Sequence, residues 1–371
     1  LGWHQLINFL YSIRYHTEFK RYFYDHGDGV SLGGPGVSHH DLIGWHDDCL
    51  FCLLSGSITH MMIPKISVVM GVYNQIDCLP KVLEGYANQS LPPSEFELIF
   101  VDSGSTDGTV SFLSSASIGC SIYVEQVENR GKAAARNWGA QLVQAPILVI
   151  TDADMIPDPS FLKSHWVAHQ AQKRMTCFEG LTNNMTQLHW PPNPDWLEPY
   201  IQQSLAPLQR LGWYYWLTGN LSMPVQLFHE MGGFDEGFTG YGWEDLELGY
   251  RLQKRGVPLR YLPSAINYHY HVVSRSGQRL RNIEKGKSAA LFVSKHPSLA
   301  WFLGMNPVSK LVYRFTSPPG RVLDWVDRGR RRTGWIKKSA NWFLDEYYYL
   351  SGALQDEPTQ VVLASHQTSI D

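Results

Sequence analysis

The chain has 371 residues, of which 44% are hydrophobic, 13% aromatic and 18% charged, enough apolar material for a large buried core and too little charge for a disordered chain. Its formal net charge of -3 gives no global sign of a nucleic-acid partner. Five cysteines (Cys49, Cys52, Cys78, Cys120 and Cys177) make an odd count in a long chain, which argues against a disulfide framework and for a reducing compartment.

Residues 1–60 show no clean periodicity, and their role is not read from the sequence. Cys49-Leu-Phe-Cys52 has no second cysteine pair to complete a zinc site and reads as a buried thiol pair. His39, His40 and His46 read as surface-loop histidines. The polar opening from Leu1 to Lys20 does not read as a signal peptide, and no run of about eighteen apolar residues predicts a membrane span. Met61-Met62 stands just before the first strong strand, so a natural start there would yield a complete enzyme-like domain.

From Lys65 the pattern alternates strand and helix, which predicts an α/β fold with a mostly parallel sheet flanked by helices. Ile66 to Val72 is the first strand, and Leu79, Val82, Leu83 and Tyr86 then repeat at helical spacing. Phe96 to Val101 is the second strand. Asp102-Ser-Gly-Ser-Thr-Asp-Gly108 follows as a tight turn, with Ser105, Thr106 or Asp107 available to cap the next helix. A short strand near Ser121 to Glu125 and a helix from Gly131 to Val143 lead to Ile147-Leu-Val-Ile-Thr-Asp-Ala-Asp-Met155, an apolar strand that stops at two carboxylates. Side chains at i and i+2 share a face of extended chain, so Asp152 and Asp154 can converge on one divalent cation. The plainer reading is a turn before Pro157. Downstream, Val257 to Tyr261 and Ala265 to His269 read as two further strands.

Four stretches now stand in order: Ser67-Val-Val-Met-Gly-Val-Tyr-Asn74, Val101-Asp-Ser-Gly-Ser-Thr-Asp-Gly108, Asn129-Arg-Gly-Lys-Ala-Ala-Ala-Arg-Asn137 and Thr151-Asp-Ala-Asp154. Together with Gly240-Tyr-Gly-Trp-Glu-Asp-Leu-Glu-Leu-Gly-Tyr-Arg-Leu252, they resemble the family 2 glycosyltransferases of GT-A fold over about residues 64 to 272. The resemblance implies a nucleotide-sugar site at Tyr73, Asp102, Arg136 and Asp152, with Asp102 accepting from the base edge and Arg136 near the diphosphate. Ser103 stands where many relatives carry a second Asp. The resemblance further implies a metal at Asp152, Asp154 and His269, Mn²⁺ as first choice and Mg²⁺ as alternative, since imidazole with carboxylates suits manganese. His271 is the weaker match for the third ligand.

The same resemblance gives the acceptor half to Trp243, Glu244 and Asp245. Asp245 is the expected general base, Glu244 would hydrogen-bond an acceptor sugar, and Trp243 would offer it an aromatic face. The other readings are core packing for Trp243, a favourable macrodipole position for the two acids, and a helix-surface salt bridge for Arg136. An Asp at 245, where retaining relatives tend to carry an amide, implies inversion.

Residues 285–371 read as mostly helical. Nine basic residues between Lys310 and Lys338 stand against two acids, interleaved with Trp325, Trp335 and Trp342. Such a segment suits either the face of an anionic bilayer or a solvated helix face.

The expected domains are an N-terminal extension at 1–60, a GT-A domain at 61–284 with a nucleotide-sugar half (61–155) and an acceptor half (156–284), and a helical region at 285–371. The expected activity is inverting transfer from a nucleotide diphosphate sugar, UDP-linked, to a sugar hydroxyl of a polysaccharide or glycolipid. The expected location is cytoplasmic, with a peripheral contact on the inner face of the cell membrane if the basic tail binds lipid. Two competing readings are a non-catalytic carbohydrate-binding protein on the same fold and a sugar-nucleotide pyrophosphorylase. The latter needs a glycine-rich basic loop where this chain has Val72-Tyr-Asn-Gln75.

Overall fold

The computed structural model describes residues 63–198, 205–270, 275–316 and 334–354. The readings placed on residues 1–60, on His271 and on Trp325 lie outside them. Strand β1 (Ile66–Val72) alternates its side chains between two cores. Ile66, Val68, Met70 and Val72 join one apolar cluster, and Val69 joins the cluster on the opposite face. That period of two, apolar on both faces, is the signature of a strand covered on both sides. The first cluster is closed by α1 (Leu79–Ala87), α2 (Thr109–Ser115) and α4 (Phe161–Gln170), the second by α3 (Lys132–Gln141) and α5 (Val225–Glu230).

The remaining strands are β2 (Phe96–Asp102), β3 (Ser121–Gln126), β4 (Ile147–Asp152), β5 (Met155–Pro157), β6 (Cys177–Met185), β7 (Leu197–Glu198), β8 (Arg210–Leu211), β9 (Leu221–Pro224) and β10 (Leu259–Tyr270). Their order is β3-β2-β1-β4-β9-β6-β10-β5, with β7 beside β6 and β8 beside β10. The strands from β3 to β4 run parallel, β9 runs antiparallel to both its neighbours, and β6 and β10 are parallel again. The body of the sheet is therefore two parallel blocks joined through one reversed strand, with the short strands β5, β7 and β8 pairing antiparallel to the second block.

One sequence expectation changes here, and one stretch without an assigned element is filled. The two strands expected between Val257 and His269 are one strand, β10, with an irregularity between Leu262 and Ile266 in its pairing to β6. The stretch between Thr176 and Gly240, to which the sequence assigns no element, holds β6, β9 and α5. Strand β6 hides because it buries Glu179, Thr182 and Asn183 among its apolar residues, so no apolar run marks it.

A third apolar cluster gathers α7 (Arg275–Lys295), α8 (Pro307–Thr316) and α9 (Gly334–Leu354) against α6 (Glu244–Lys254). Helix α6 contributes Leu248 and Leu252 to the sheet's second core and Tyr250 to this third one. Helices α7 and α9 cross at glycines: a Cβ on Gly286 would lie 1.9 Å from the Tyr349 carbonyl oxygen, and one on Gly352 would lie 1.9 Å from that of Ile283. Among the described residues no helix is long and apolar enough to cross a membrane.

Candidate active site

The site is assembled where the first parallel block ends. Register pairs Asp102 with Val72 and Asp152 with Gly71, so the two carboxylates end strands on either side of β1. At about 4.8 Å per strand they stand roughly 10 Å apart along one sheet edge, where open α/β sheets bind their ligands. Asp102 is 1% exposed, and its Oδ2 accepts from the amides of Gly104 and Ser105 at 3.0 Å each. That Asx turn coexists with a second oxygen, Oδ1, which is buried without a hydrogen-bond partner among the described residues. A buried carboxylate oxygen without a partner is costly unless a ligand donor reaches it.

Tyr73, by contrast, is 53% exposed beside it. The loops after β1 and β2 are tied together. The Asn74 amide donates to Ser105 Oγ (2.8 Å), the Thr106 amide to Asn74 Oδ1 (2.8 Å) and the Ile76 amide to Asp107 Oδ2 (3.1 Å). Asp107 Oδ1 also accepts from the Thr109 amide (3.0 Å), serving the first turn of α2.

Helix α3 lies close on the sheet because Gly139 faces Val69 and Gly71 faces Ala135. Its residues Lys132 and Arg136, one turn apart, share a face and both reach Asp152. Arg136 Nη2 donates to Asp152 Oδ1 at 2.8 Å, Arg136 Nη1 donates to Glu244 Oε1 at 2.9 Å, and Lys132 Nζ lies 3.5 Å from Asp152 Oδ1. Arg136 is 2% exposed, so the alternative of a helix-surface salt bridge does not apply. It is a buried strut between the end of β4 and the start of α6. Burial raises the Asp152 carboxyl, but Lys132 and then Arg136 outweigh burial and hold it below the usual range.

Glu244, expected to hydrogen-bond an acceptor sugar, is buried, and its Oε2 has no hydrogen-bond partner among the described residues. Asp245 is half-buried and accepts from the Leu246 amide at 2.8 Å. Burial first, then the charge of Glu244, push its carboxyl up to about 7 against the pull of Arg136. Trp243 precedes them with φ of 74°, a left-handed conformation costing an indole-bearing residue roughly 1–2 kcal/mol. Its ring is 7% exposed, packs toward Phe292, and donates Nε1–H to the Lys285 carbonyl at 2.9 Å, with Lys285 Nζ 5.2 Å from the ring centroid. The open stacking face expected of Trp243 is thus covered, and core packing is its observed role.

The expected three-ligand metal set is not assembled. No cluster of three His, Cys, Asp or Glu side chains able to hold a cation occurs among the described residues. Asp152 is turned to Arg136 and Lys132. Asp154 and His269 do meet, Oδ2 to Nε2 at 3.6 Å, because β10 pairs with β5 at His269↔Met155 and the Tyr270 amide donates to the Asp154 carbonyl. One carboxylate and one imidazole facing each other are a donor pair suited to Mn²⁺. The other ring nitrogen, Nδ1, lies 3.2 Å from Asn184 Oδ1. Asn184 was missed in the sequence, since an Asn inside an unrecognised strand gives no signal.

A sheet edge ending in Asp102 and Asp152, with Asp154 just beyond β4 and the carboxylates of α6 across from it, is a GT-A-like arrangement. The profile described as "Glycosyl transferase family 2" matches residues 67–230, and that described as "N-terminal domain of galactosyltransferase" matches 206–275. Residues 67–230, less than half of the chain, are thus similar to the family 2 glycosyltransferases.

The chain is 32% identical over 283 residues to a validoxylamine A glucosyltransferase of Streptomyces hygroscopicus subsp. limoneus, an alignment covering 66% of this chain and 59% of that protein. The chain therefore spans about three fifths of the length of that relative. Among solved structures, the mannosyltransferase PcManGT of Pyrobaculum calidifontis, in complex with GDP-Man and Mn²⁺, superposes with a TM-score of 0.52 at 17% identity, covering 79% of this chain and 88% of that one. S. aureus TarS gives 0.50 at 16% identity, covering 77% and 55%. At those identities the likeness is one of fold.

Proposed function

We propose that the protein transfers a hexosyl group, with inversion, from a UDP-linked donor to a hydroxyl of a saccharide or lipid-linked saccharide. The observation that carries this reading is the pairing of a half-buried Asp245, its carboxyl near 7, with a donor edge to which it is linked through Glu244, Arg136 and Asp152. A carboxylate at that value is suited to accept the acceptor hydroxyl's proton near neutral pH. The buried Oδ1 of Asp102 is free to accept from the donor's base, and exposed Tyr73 can lie against that base. Arg136 keeps Asp152 and Glu244 at fixed spacing, one on each arm of its guanidinium.

Asp154 and His269 would hold Mn²⁺, with Mg²⁺ the alternative, and Asn184 would orient the imidazole. A bound divalent ion neutralises charge on the departing nucleoside diphosphate. Support for a hexose donor comes from the glucosyltransferase relative and from the GDP-Man and Mn²⁺ of the mannosyltransferase.

The test is a panel of nucleotide sugars incubated with Mn²⁺, with nucleotide release scored for the wild type and for Asp245→Asn. The expected result is release from a UDP-hexose that the substitution abolishes while donor binding persists. An Asp245→Asn variant with unchanged turnover removes the residue from the base role, and no release from any donor favours the non-catalytic carbohydrate-binding reading.

A further inference from the structure

The C-terminal helices bury one side of themselves in the third core and leave a specific apolar face in water. Tyr313 of α8 is 2% exposed and stacks on Tyr347 of α9 with ring centroids 5.5 Å apart, which fixes which side of α8 points inward. On the outward side Val308 is 47% and Leu311 56% exposed, and Trp301, in the turn before the helix, is 65% exposed. At 100° per residue, Val308 and Leu311 are neighbours on one sector and the exposed Lys310 and Arg314 lie on the sector beside it. Apolar side chains bordered by cations along one helix form the pattern of a helix lying in a membrane interface.

The surrounding sequence strengthens the charge half of that pattern. Between Lys310 and Lys338 nine basic residues face two acids, in a chain whose formal net charge is -3. Positive charge is concentrated on this segment, while the chain as a whole is mildly acidic.

We propose that the outward face of α8, with Trp301, docks on the surface of an anionic phospholipid bilayer. Trp301, Val308 and Leu311 enter the boundary between headgroups and acyl chains, and Lys310 and Arg314 pair with lipid phosphates. A second copy of the chain is the poorer occupant, because a two-fold contact through this face would set its own Lys310 and Arg314 against like charges. The proposal does not depend on the transfer reading, since its readout needs neither donor nor acceptor.

Flotation of the full chain with vesicles tests it. The wild type should float with mixed phosphatidylcholine and phosphatidylglycerol vesicles and remain behind with phosphatidylcholine alone. Lys310→Gln with Arg314→Gln should weaken binding about fivefold per charge removed, as expected for cations at an anionic surface. Trp301→Ser with Leu311→Ser should weaken it by roughly tenfold or more, the scale set by apolar side-chain burial. All four side chains are exposed, so thermal melting midpoints and nucleotide release with a soluble acceptor should not move.

Wild type that fails to float, equal binding to neutral vesicles, or flotation indifferent to the Trp301 and Leu311 substitutions would each overturn the proposal. Vesicle-free self-association lost in the same variants would overturn it in favour of a contact between copies.

Discussion

Arg136 Nη1 and Glu244 Oε1 meet at 2.9 Å, joining helix α3 to the first turn of α6 across 108 residues of sequence. The guanidinium and the Glu244 carboxylate are 2% and 6% exposed, and the same guanidinium carries Asp152 on its other arm. Removing it strands the Glu244 carboxylate in a poorly solvated place and leaves Asp152 with Lys132 as its remaining cation. Arg136→Gln should therefore destabilise the fold by roughly 3–5 kcal/mol, the usual cost of breaking a buried pair from one side. Arg136→Lys should recover only part of that loss, because a single ammonium cannot fork between two carboxylates. Chemical denaturation of the three proteins measures both effects; equal midpoints would refute the strut.

Asp245 makes a pH prediction of definite sign. Below about 7 its carboxyl holds a proton and cannot take another, so turnover should rise roughly tenfold per pH unit up to that point and then level. Asp245→Asn should lose about 10²–10⁴-fold in kcat, the range for a removed general base. Stability moves the opposite way. The folded protein holds this proton at pH values where the unfolded chain has released it, so the contribution of Asp245 to stability falls as pH rises from about 4 to about 7. At pH 8 the asparagine variant should melt at a higher temperature than the wild type.

The proposed metal pair, Asp154 and His269, predicts unequal roles for the two acids of Asp152-Ala-Asp154. Asp154→Asn and His269→Ala should raise the Mn²⁺ concentration needed for half-maximal activity, whereas Asp152→Asn should act mainly through the loss of its Arg136 contact. Asn184→Ala, which removes the partner of His269 Nδ1, should weaken Mn²⁺ by about 10–100-fold, as for other residues that orient a metal-bound imidazole. Mn²⁺ titration of the activity distinguishes these cases, and an Asp152 variant with the largest metal defect would reverse the assignment.

Two buried histidines supply acid sensitivity. His165 contacts Asn220 Oδ1 and Ser222 Oγ at 3.0 and 2.7 Å, and His169 shares Ser222 Oγ at 2.9 Å. Burial lowers them from the ordinary 6.5 to about 4 and about 3. Both therefore stay neutral in the fold while the unfolded chain protonates them below 6.5, so each removes up to about 1.4 kcal/mol of stability per pH unit as the medium is acidified. His169→Gln should flatten the fall in melting midpoint between pH 6 and 4 relative to the wild type. An unchanged slope would show that other groups carry it.

The glycine crossing of α7 and α9 leaves no room for a methyl group. Gly286→Ala should separate the two helices and expose the third core, with roughly 1–3 kcal/mol lost if the backbone can shift to accept the overpacking. Limited proteolysis should then release the C-terminal helices before the sheet domain is cut; resistance equal to that of the wild type would argue against the tight crossing.

Much of the first half was legible because its signals are local. Ile66 to Val72 is bounded as expected, Phe96 and Ile147 begin strands where expected, and Leu79, Val82, Leu83 and Tyr86 do line the buried face of a helix. The stretch after Pro157 was less legible because its strands take their stability from long-range partners. Glu179 receives the Leu217 amide, and Asn220 donates to the carbonyls of Leu181 and Ala265, so polar residues occupy positions where a pattern reader expects apolar ones. Trp243 fails for a related reason: its residue type suits a sugar platform as well as a core, and only the Lys285 carbonyl and Phe292 decide between them.

The reversed strand β9 carries a consequence for dissecting the molecule. It is four residues long, yet it is hydrogen-bonded to β4 on one side and β6 on the other. A fragment ending before Leu221 would retain Tyr73, Asp102, Arg136 and Asp152 and leave β4 with an unpaired margin. Open margins of apolar strands recruit other chains, so such a fragment should be recovered in aggregates, and the shortest soluble fragment of this kind should extend beyond Pro224.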